Sequence, residues 1–212
     1  FRNDAFHLTH YHGSWAEEMQ PETTKLTHGI KVLDSKLGTR ANLYAPPTFM
    51  LSFDQPATEN EGAVMLANLA WSGNYQFDFE MDRYDNLRLI AGANSHASAY
   101  QLKPKEKFET PHFLFSYAEN GIGEASRQMH DWARKHRLYD GEGERLTLLN
   151  NWEATYFDFN QEKLVELLDD AVTLGVDLFL LDDGWFANKY PRNSDRSGLG
   201  DWEENKKKLP DG

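Results

Sequence analysis

The chain has 212 residues, 22 Lys+Arg against 34 Asp+Glu, a formal net charge of −12 and no Cys. That acidity makes a nucleic-acid backbone a poor partner, the apolar runs fall far short of the roughly 20 residues that span a bilayer, and without Cys there is no disulfide, thiolate zinc site or thiol nucleophile. At roughly 100–200 residues per domain, the length allows one or two domains, and 40% hydrophobic residues suffice for a core.

The first part, to about residue 120, reads as β. His28–Leu33, Thr48–Phe53 and Ala63–Trp71 are short apolar runs. Ala45-Pro-Pro47, Asp54-Gln-Pro56, Glu61-Gly62 and Ser72-Gly-Asn74 bound them as turns. Tyr75–Met81 alternates apolar and polar residues with period two, which predicts a half-buried strand. Leu87–Ala91 reads as its antiparallel neighbour across a turn at 83–86, and His112–Tyr117 as another strand. Short strands at this spacing suggest a sandwich. The six Trp, nine Tyr and thirteen Phe suit such a core, and equally a surface that stacks on sugars.

From Glu124 to His136 the pattern turns helical, with Ala125, Met129, Trp132 and Ala133 on one face. A linker at 139–143 follows, then a buried-strand run at Leu146–Leu149. Asp158 is the expected N-cap of a second helix, with Gln161 completing a capping box. Leu164, Leu167, Leu168, Ala171 and Val172 line that helix, and Gly175 stops it. Val176–Leu181 is a second buried strand, ending in Asp182-Asp183-Gly184-Trp185. Strand, crossover helix and strand make a βαβ unit with parallel strands. The domains are thus a β-sandwich over 1–120, a helical linker over 121–144 and an α/β region over 145–212.

In parallel α/β folds, ligands sit beyond the carboxyl ends of the strands. Trp152 follows the first such strand, and Asp182 and Asp183 end the second. Two adjacent carboxylates can accept charge-assisted bonds from hydroxyls, and an indole face can cover the apolar side of a pyranose. Asp-Asp-Gly as a plain turn and Trp152 as core remain the alternative.

Three other motifs point elsewhere. Gly121-Ile-Gly123 with Ser126 approaches a dinucleotide-binding pattern, but its third position is Ser and the preceding strand looks antiparallel. Asn193, Asp195, Ser197, Gly198 and Glu204 mimic a calcium loop without the first carboxylate or a helix pair. His7, His10 and His12 cluster without a second ligand set, and surface or satisfied histidines are expected. No metal or cofactor is expected.

From Leu149 onward three segments occur in order: Leu149-Asn-Asn-Trp-Glu-Ala-Thr-Tyr-Phe157, Leu180-Leu-Asp-Asp-Gly-Trp-Phe186, and Asp195-Arg-Ser-Gly-Leu-Gly-Asp-Trp202 with Lys208-Leu-Pro210. Together they resemble glycoside hydrolase family 36, the bacterial type of α-galactosidase. Trp71-Ser-Gly-Asn-Tyr75 and the strand pattern match more loosely, resembling the family's N-terminal β-supersandwich. The resemblance implies that supersandwich followed by the first βαβ unit of a (β/α)8 TIM barrel. It implies a retaining hydrolase that removes terminal α-linked galactose from melibiose- or raffinose-type sugars with two Asp residues and no cofactor. The implied full-length enzyme is homo-oligomeric and cytoplasmic.

Asp182 and Asp183 match the family's galactose-binding pair, which holds O4 and O6. Trp152 matches a sugar-contacting Trp, and Trp185 and Trp202 in the same motifs are further substrate-binding candidates. The nucleophile and acid/base lie on later barrel strands, the former in a Lys-Trp-Asp type motif absent here, so no catalytic residue is assigned in this chain. The chain is accordingly expected to be an internal piece of a longer protein. The alternative from another class is a non-catalytic carbohydrate-binding or interaction module.

Overall fold

Alternation along Tyr75–Met81 organises the first half of the chain. In the computed structural model, which describes residues 5–212, Tyr75, Phe77, Phe79 and Met81 all point inward from this strand. The chain divides into two compact units, with the boundary between Glu142 and Gly143.

The first unit runs β1 (Phe6–His12), β2 (Gln20–Lys25), β3 (Gly29–Ser35), α1 (Ala41–Tyr44), β4 (Thr48–Phe53), β5 (Val64–Ala70), β6 (Tyr75–Met81), β7 (Leu87–Ala93), β8 (His112–Ala118) and α2 (Gly121–His136). Five strands form one antiparallel sheet in the order β2-β1-β4-β5-β8, and β3-β6-β7 form a second. The core joins the inner faces of both: Phe6 and Leu8, Phe49 and Leu51, Met65, Ala67 and Leu69 from the first sheet, Phe77, Phe79 and Leu87 from the second. Phe49 meets Phe77 and Phe79 edge-on, at centroid distances of 5.2 and 4.8 Å. This is the expected sandwich.

Helix α2 carries the expected face: Ala125 is buried and Met129, Trp132 and Ala133 are half-buried. It is part of this unit and not a free linker. Ala125 packs with Val64, Met50 and Ala118, and the Ser116 hydroxyl donates to the Ala125 carbonyl at 3.1 Å. The glycine pattern at its start serves the same packing. The amides of Gly121, Ile122 and Gly123 donate to the carbonyls of Gly62, Thr58 and Glu59. Those N–H groups are the ones a phosphate would need.

Strands β1 and β2 lie outside the elements read from sequence. On β1, residues 6, 8, 10 and 12 share one face while His7 points to the other, so the three histidines do not converge. Nor are all of them satisfied: His7 Nδ1 and His10 Nε2 are buried without a hydrogen-bond partner among the described residues. Burial holds the His10 pKa below its ordinary value; Glu22 opposes this, and Lys31 and His12 reinforce it. His10 therefore folds neutral, and the unfolded chain binds the extra proton once the pH drops below about 6.5. The sandwich should lose stability from there down to the lowered folded pKa. Thermal midpoints between pH 7.5 and 5 should fall less steeply for His10→Gln than for the wild type.

The second unit contains β9 (Leu148–Asn150), α3 (Trp152–Thr155), α4 (Gln161–Leu174) and β10 (Leu178–Leu180). β9 and β10 pair in parallel, Leu178 beside Leu148 and Leu180 beside Asn150, as a βαβ unit requires. Gly175 closes α4 in the left-handed conformation at φ 76°, as expected. The N-cap is different. Asn160, not Asp158, accepts the Lys163 amide, at 2.9 Å. Phe159 must first enter a core with Leu164 and Leu209, which delays the helix by two residues. Gln161 then reaches Asp211 instead of the cap.

The apolar face of α4 is only partly covered. Leu164 and Ala171 are buried and Leu167 half-buried, while Leu168 and Val172 are exposed. Leu148, Leu178 and Leu180 are exposed as well, so strands expected to be buried are not. A parallel sheet needs cover on both faces, which two strands and one crossover helix do not supply.

Candidate functional site

The site is built where β9 and β10 end side by side. β9 ends in Asn150, with Asn151 and Trp152 beyond it; beyond β10 come Asp182, Asp183 and Gly184. Two asparagines tie the ends together. Asn150 donates its amide to Asp182 Oδ2 at 2.6 Å and accepts the Trp152 amide at 2.8 Å. Asn151, fully buried, accepts the Asp182 amide at 2.7 Å and donates to the Thr155 hydroxyl at 2.9 Å. The next turn folds on the carboxylates themselves. The Asp183 amide donates to Asp182 Oδ1 at 2.6 Å, and the Gly184 amide to Asp183 Oδ1 at 2.7 Å. Gly184 has φ 93°, and a Cβ there would sit 3.1 Å from the Phe157 ring, so only glycine fits both demands.

The two carboxylates differ in surroundings. Among the described residues, Asp182 meets only neutral donors, one on each oxygen. Asp183 faces Arg192, whose Nε and Nη2 reach Oδ1 and Oδ2 at 2.7 and 2.5 Å. Those hydrogen bonds hold the Asp183 pKa below the usual carboxylate range. Partial burial opposes the shift; the Gly184 amide and the charges of Arg192 and Lys208 assist it. Asp183 is thus an acceptor fixed in its ionised form and a poor proton donor. An ionised carboxylate offers about four acceptor positions. Two remain open on Asp182 and one on Asp183 Oδ2, enough for ligand hydroxyls.

Trp152 opens α3 and is half-buried, with Tyr156 and Phe157 edge-on at 5.3 and 4.9 Å. The other two candidate tryptophans make different contacts. Trp185 packs on the Phe159, Leu164 and Leu209 cluster. Trp202 is 66% exposed and lies against Phe186 at 4.7 Å. The strand ends thus bring Asp182, Asp183 and Trp152 to one rim, while Trp185 serves packing.

Residues of the calcium-like loop are engaged elsewhere. Glu204 pairs with Lys206 at 2.6 Å, and Ser197 bonds within the loop to Ser194 and the Asn193 amide. Four further residues shape the site and carried no role in the sequence reading: Asn150, Asn151, Arg192 and Lys208. Both asparagines stand in the Leu149–Phe157 segment and were legible there as polar residues at a strand end. Lys208 opens the Lys208-Leu-Pro210 segment but carried no assigned role, and Arg192 lies in irregular chain, where spacing gives no signal.

Residues 1–103 match the glycosyl hydrolase family 36 N-terminal domain, and residues 107–212 match melibiase. The chain belongs to glycosyl hydrolase family 36. Among curated relatives, it is 39% identical to alpha-galactosidase 1 of Pediococcus pentosaceus, over 94% of this chain and 27% of that protein. It is 37% identical to alpha-galactosidase AgaA of Geobacillus stearothermophilus, over 96% of this chain and 27% of the relative. Among solved structures, the alpha-galactosidase from Lactobacillus brevis superposes with a TM-score of 0.86 at 36% identity, covering all of this chain and 28% of that one. Variants of the Geobacillus AgaA have been solved with raffinose and with stachyose, and each superposes at a TM-score of 0.85 and 34% identity. The chain spans little more than a quarter of the length of these relatives. The sandwich followed by the start of a barrel is therefore the family 36 fold.

Proposed function

We propose that this chain is part of a retaining α-galactosidase and forms the region that grips the terminal galactosyl group. The observation that carries the reading is the convergence of Asp182, Asp183 and Trp152 at the carboxyl ends of paired parallel strands, in a chain of this family. Asp182 and Asp183 accept hydrogen bonds from the sugar's O4 and O6 hydroxyls through their open positions. Trp152 covers the C–H face of the ring. The raffinose and stachyose complexes of AgaA support a substrate ending in an α-galactosyl group. The uncovered faces of α4, β9 and β10 support further strand–helix units around them.

Retention calls for a nucleophile and an acid/base about 5–5.5 Å apart, flanking the bond. Asp182 and Asp183 do not fit those roles. They are sequence neighbours, and Arg192 keeps Asp183 from acting as an acid. Their task is ground- and transition-state binding, and the reacting carboxylates are contributed by other parts of the enzyme.

The full-length protein should hydrolyse an aryl α-galactoside and release the α-anomer first, as read by proton NMR. The aryl α-glucoside differs at O4 and forfeits one charge-assisted hydrogen bond. It should react about ten- to hundredfold more slowly, for a loss of about 1.5–3 kcal/mol. Equal rates on both substrates, or no turnover of either, would refute the reading.

Trp152→Ala separates a sugar platform from a core residue. Its ring contacts with Tyr156 and Phe157 are worth about 0.5–1.5 kcal/mol each, so the melt should shift modestly while galactose affinity falls. A loss of about 3–5 kcal/mol, the range for a buried aromatic, with unchanged galactose affinity would place Trp152 in the core.

A further inference from the structure

Arg192 is the one charged residue among the described residues that is buried as a whole, and no step of the proposed reaction uses it directly. Four of its five N–H donors are engaged. Two grip Asp183, and Nη1 donates to the carbonyls of Ser194 and Ser197 at 2.9 and 2.8 Å. The guanidinium also lies over the rings of Phe157 and Phe186, at 5.6 and 5.5 Å. The loop folds closely around it. Gly198, at φ 70°, leaves no room for a Cβ, which would sit 3.1 Å from the Arg192 Cα and 2.7 Å from the Tyr190 carbonyl oxygen. Asp201 closes the same loop by accepting the amides of Lys189 and Tyr190 at 2.9 and 2.8 Å.

Burying an ion pair is a weak source of stability, and apolar residues of similar volume often do as well. A planar fork held from behind by two carbonyls and two rings does something they cannot: it fixes the plane of a carboxylate. Asp183 Oδ1 is then filled by Gly184 and Arg192, leaving one acceptor position on Oδ2. Lys208 braces the same turn, donating to the carbonyls of Phe157 and Gly184 at 2.6 and 3.0 Å.

We propose that Arg192 is a positioning residue for sugar recognition, orienting Asp183 so that its single open oxygen position meets a hydroxyl of the galactosyl ring. The inference rests on the galactose-binding role proposed above for Asp183. The fork's geometry matters beyond its charge, because a carboxylate free to rotate offers the hydroxyl no fixed partner.

The test uses the full-length protein and an aryl α-galactoside. Arg192→Lys keeps the charge and removes the fork. It should lower kcat/KM by about tenfold or more, as misplacement of a binding group does. In an Asp183→Asn background the same substitution should add little, because the group it positions has already been changed. Equal fold-losses in both backgrounds, or no loss in the wild-type background, would overturn the proposal. So would an Arg192→Lys protein that fails to fold, since Arg192 would then be structural. Wild-type protein without α-galactosidase turnover would remove the underlying reading. Wild-type turnover with an unaffected Arg192→Lys variant would remove the positioning role alone.

Discussion

Asp183→Ala in the full-length protein should depress both activity and stability, and more than Asp182→Ala does. Both changes remove a hydroxyl acceptor, and each should cost about ten- to hundredfold in kcat/KM. They part company in what they leave behind. Without Asp183, the Arg192 side chain, only 7% exposed, loses its counter-charge. Breaking a buried pair from one side costs about 3–5 kcal/mol; with Asp183 itself 24% exposed, roughly 2–3 kcal/mol is expected. Asp182→Ala strands only the Asn150 side-chain amide and the Asp183 backbone amide, at about 1–2 kcal/mol. Thermal melts beside Michaelis curves would check the order. A melt equally affected by both changes would mean that Arg192 finds another partner.

Phe49→Ala should have the largest effect on the sandwich. The side chain has no solvent exposure and stands between the sheets, edge-on to Phe77 and Phe79, with Phe113 6.3 Å away. Truncating such a ring costs about 3–5 kcal/mol, set against a typical domain stability of about 5–15 kcal/mol. The denaturant midpoint should fall sharply, whereas Phe115→Ala, exposed on β8, should stay within about 0.5 kcal/mol of wild type. Comparable losses for both would contradict the two-sheet core.

β6 was legible because its polarity follows the pleat, with Tyr75, Phe77, Phe79 and Met81 inward. β4 was legible as a short apolar run, Phe49, Met50 and Leu51, that is buried throughout. β8 was legible from its aromatic residues, although Phe115 and Tyr117 face outward and Ser116 and Ala118 are the buried positions. β2 was not: Gln20–Lys25 is almost wholly polar, carries Pro21 and lies at the edge of its sheet, where neither burial nor proline is constrained. β1 alternates Phe6, Leu8, His10 and His12 on one face, and the histidines hide the apolar half of the pattern. In the second unit, the period of α4 was correct but exposure was not, because burial depends on cover that two strands cannot give.

The site divides in the same way. Asp182, Asp183 and Trp152 were legible because each lies within three residues of a strand end, and strand ends place residues on the rim. Arg192 reaches back to Asp183 from nine positions further along an irregular loop. That contact depends on Gly198, Asp201 and two aromatic rings, none of which carries a periodic signal.

A crystal structure of the full-length protein with raffinose tests the central claim most directly. The galactosyl ring should lie at the ends of β9 and β10. Its O4 and O6 hydroxyls should lie about 2.5–3.0 Å from the carboxylates of Asp182 and Asp183, with the Trp152 ring against its C–H face. A galactosyl ring bound away from these three residues, with both carboxylates keeping only their protein partners, would contradict it.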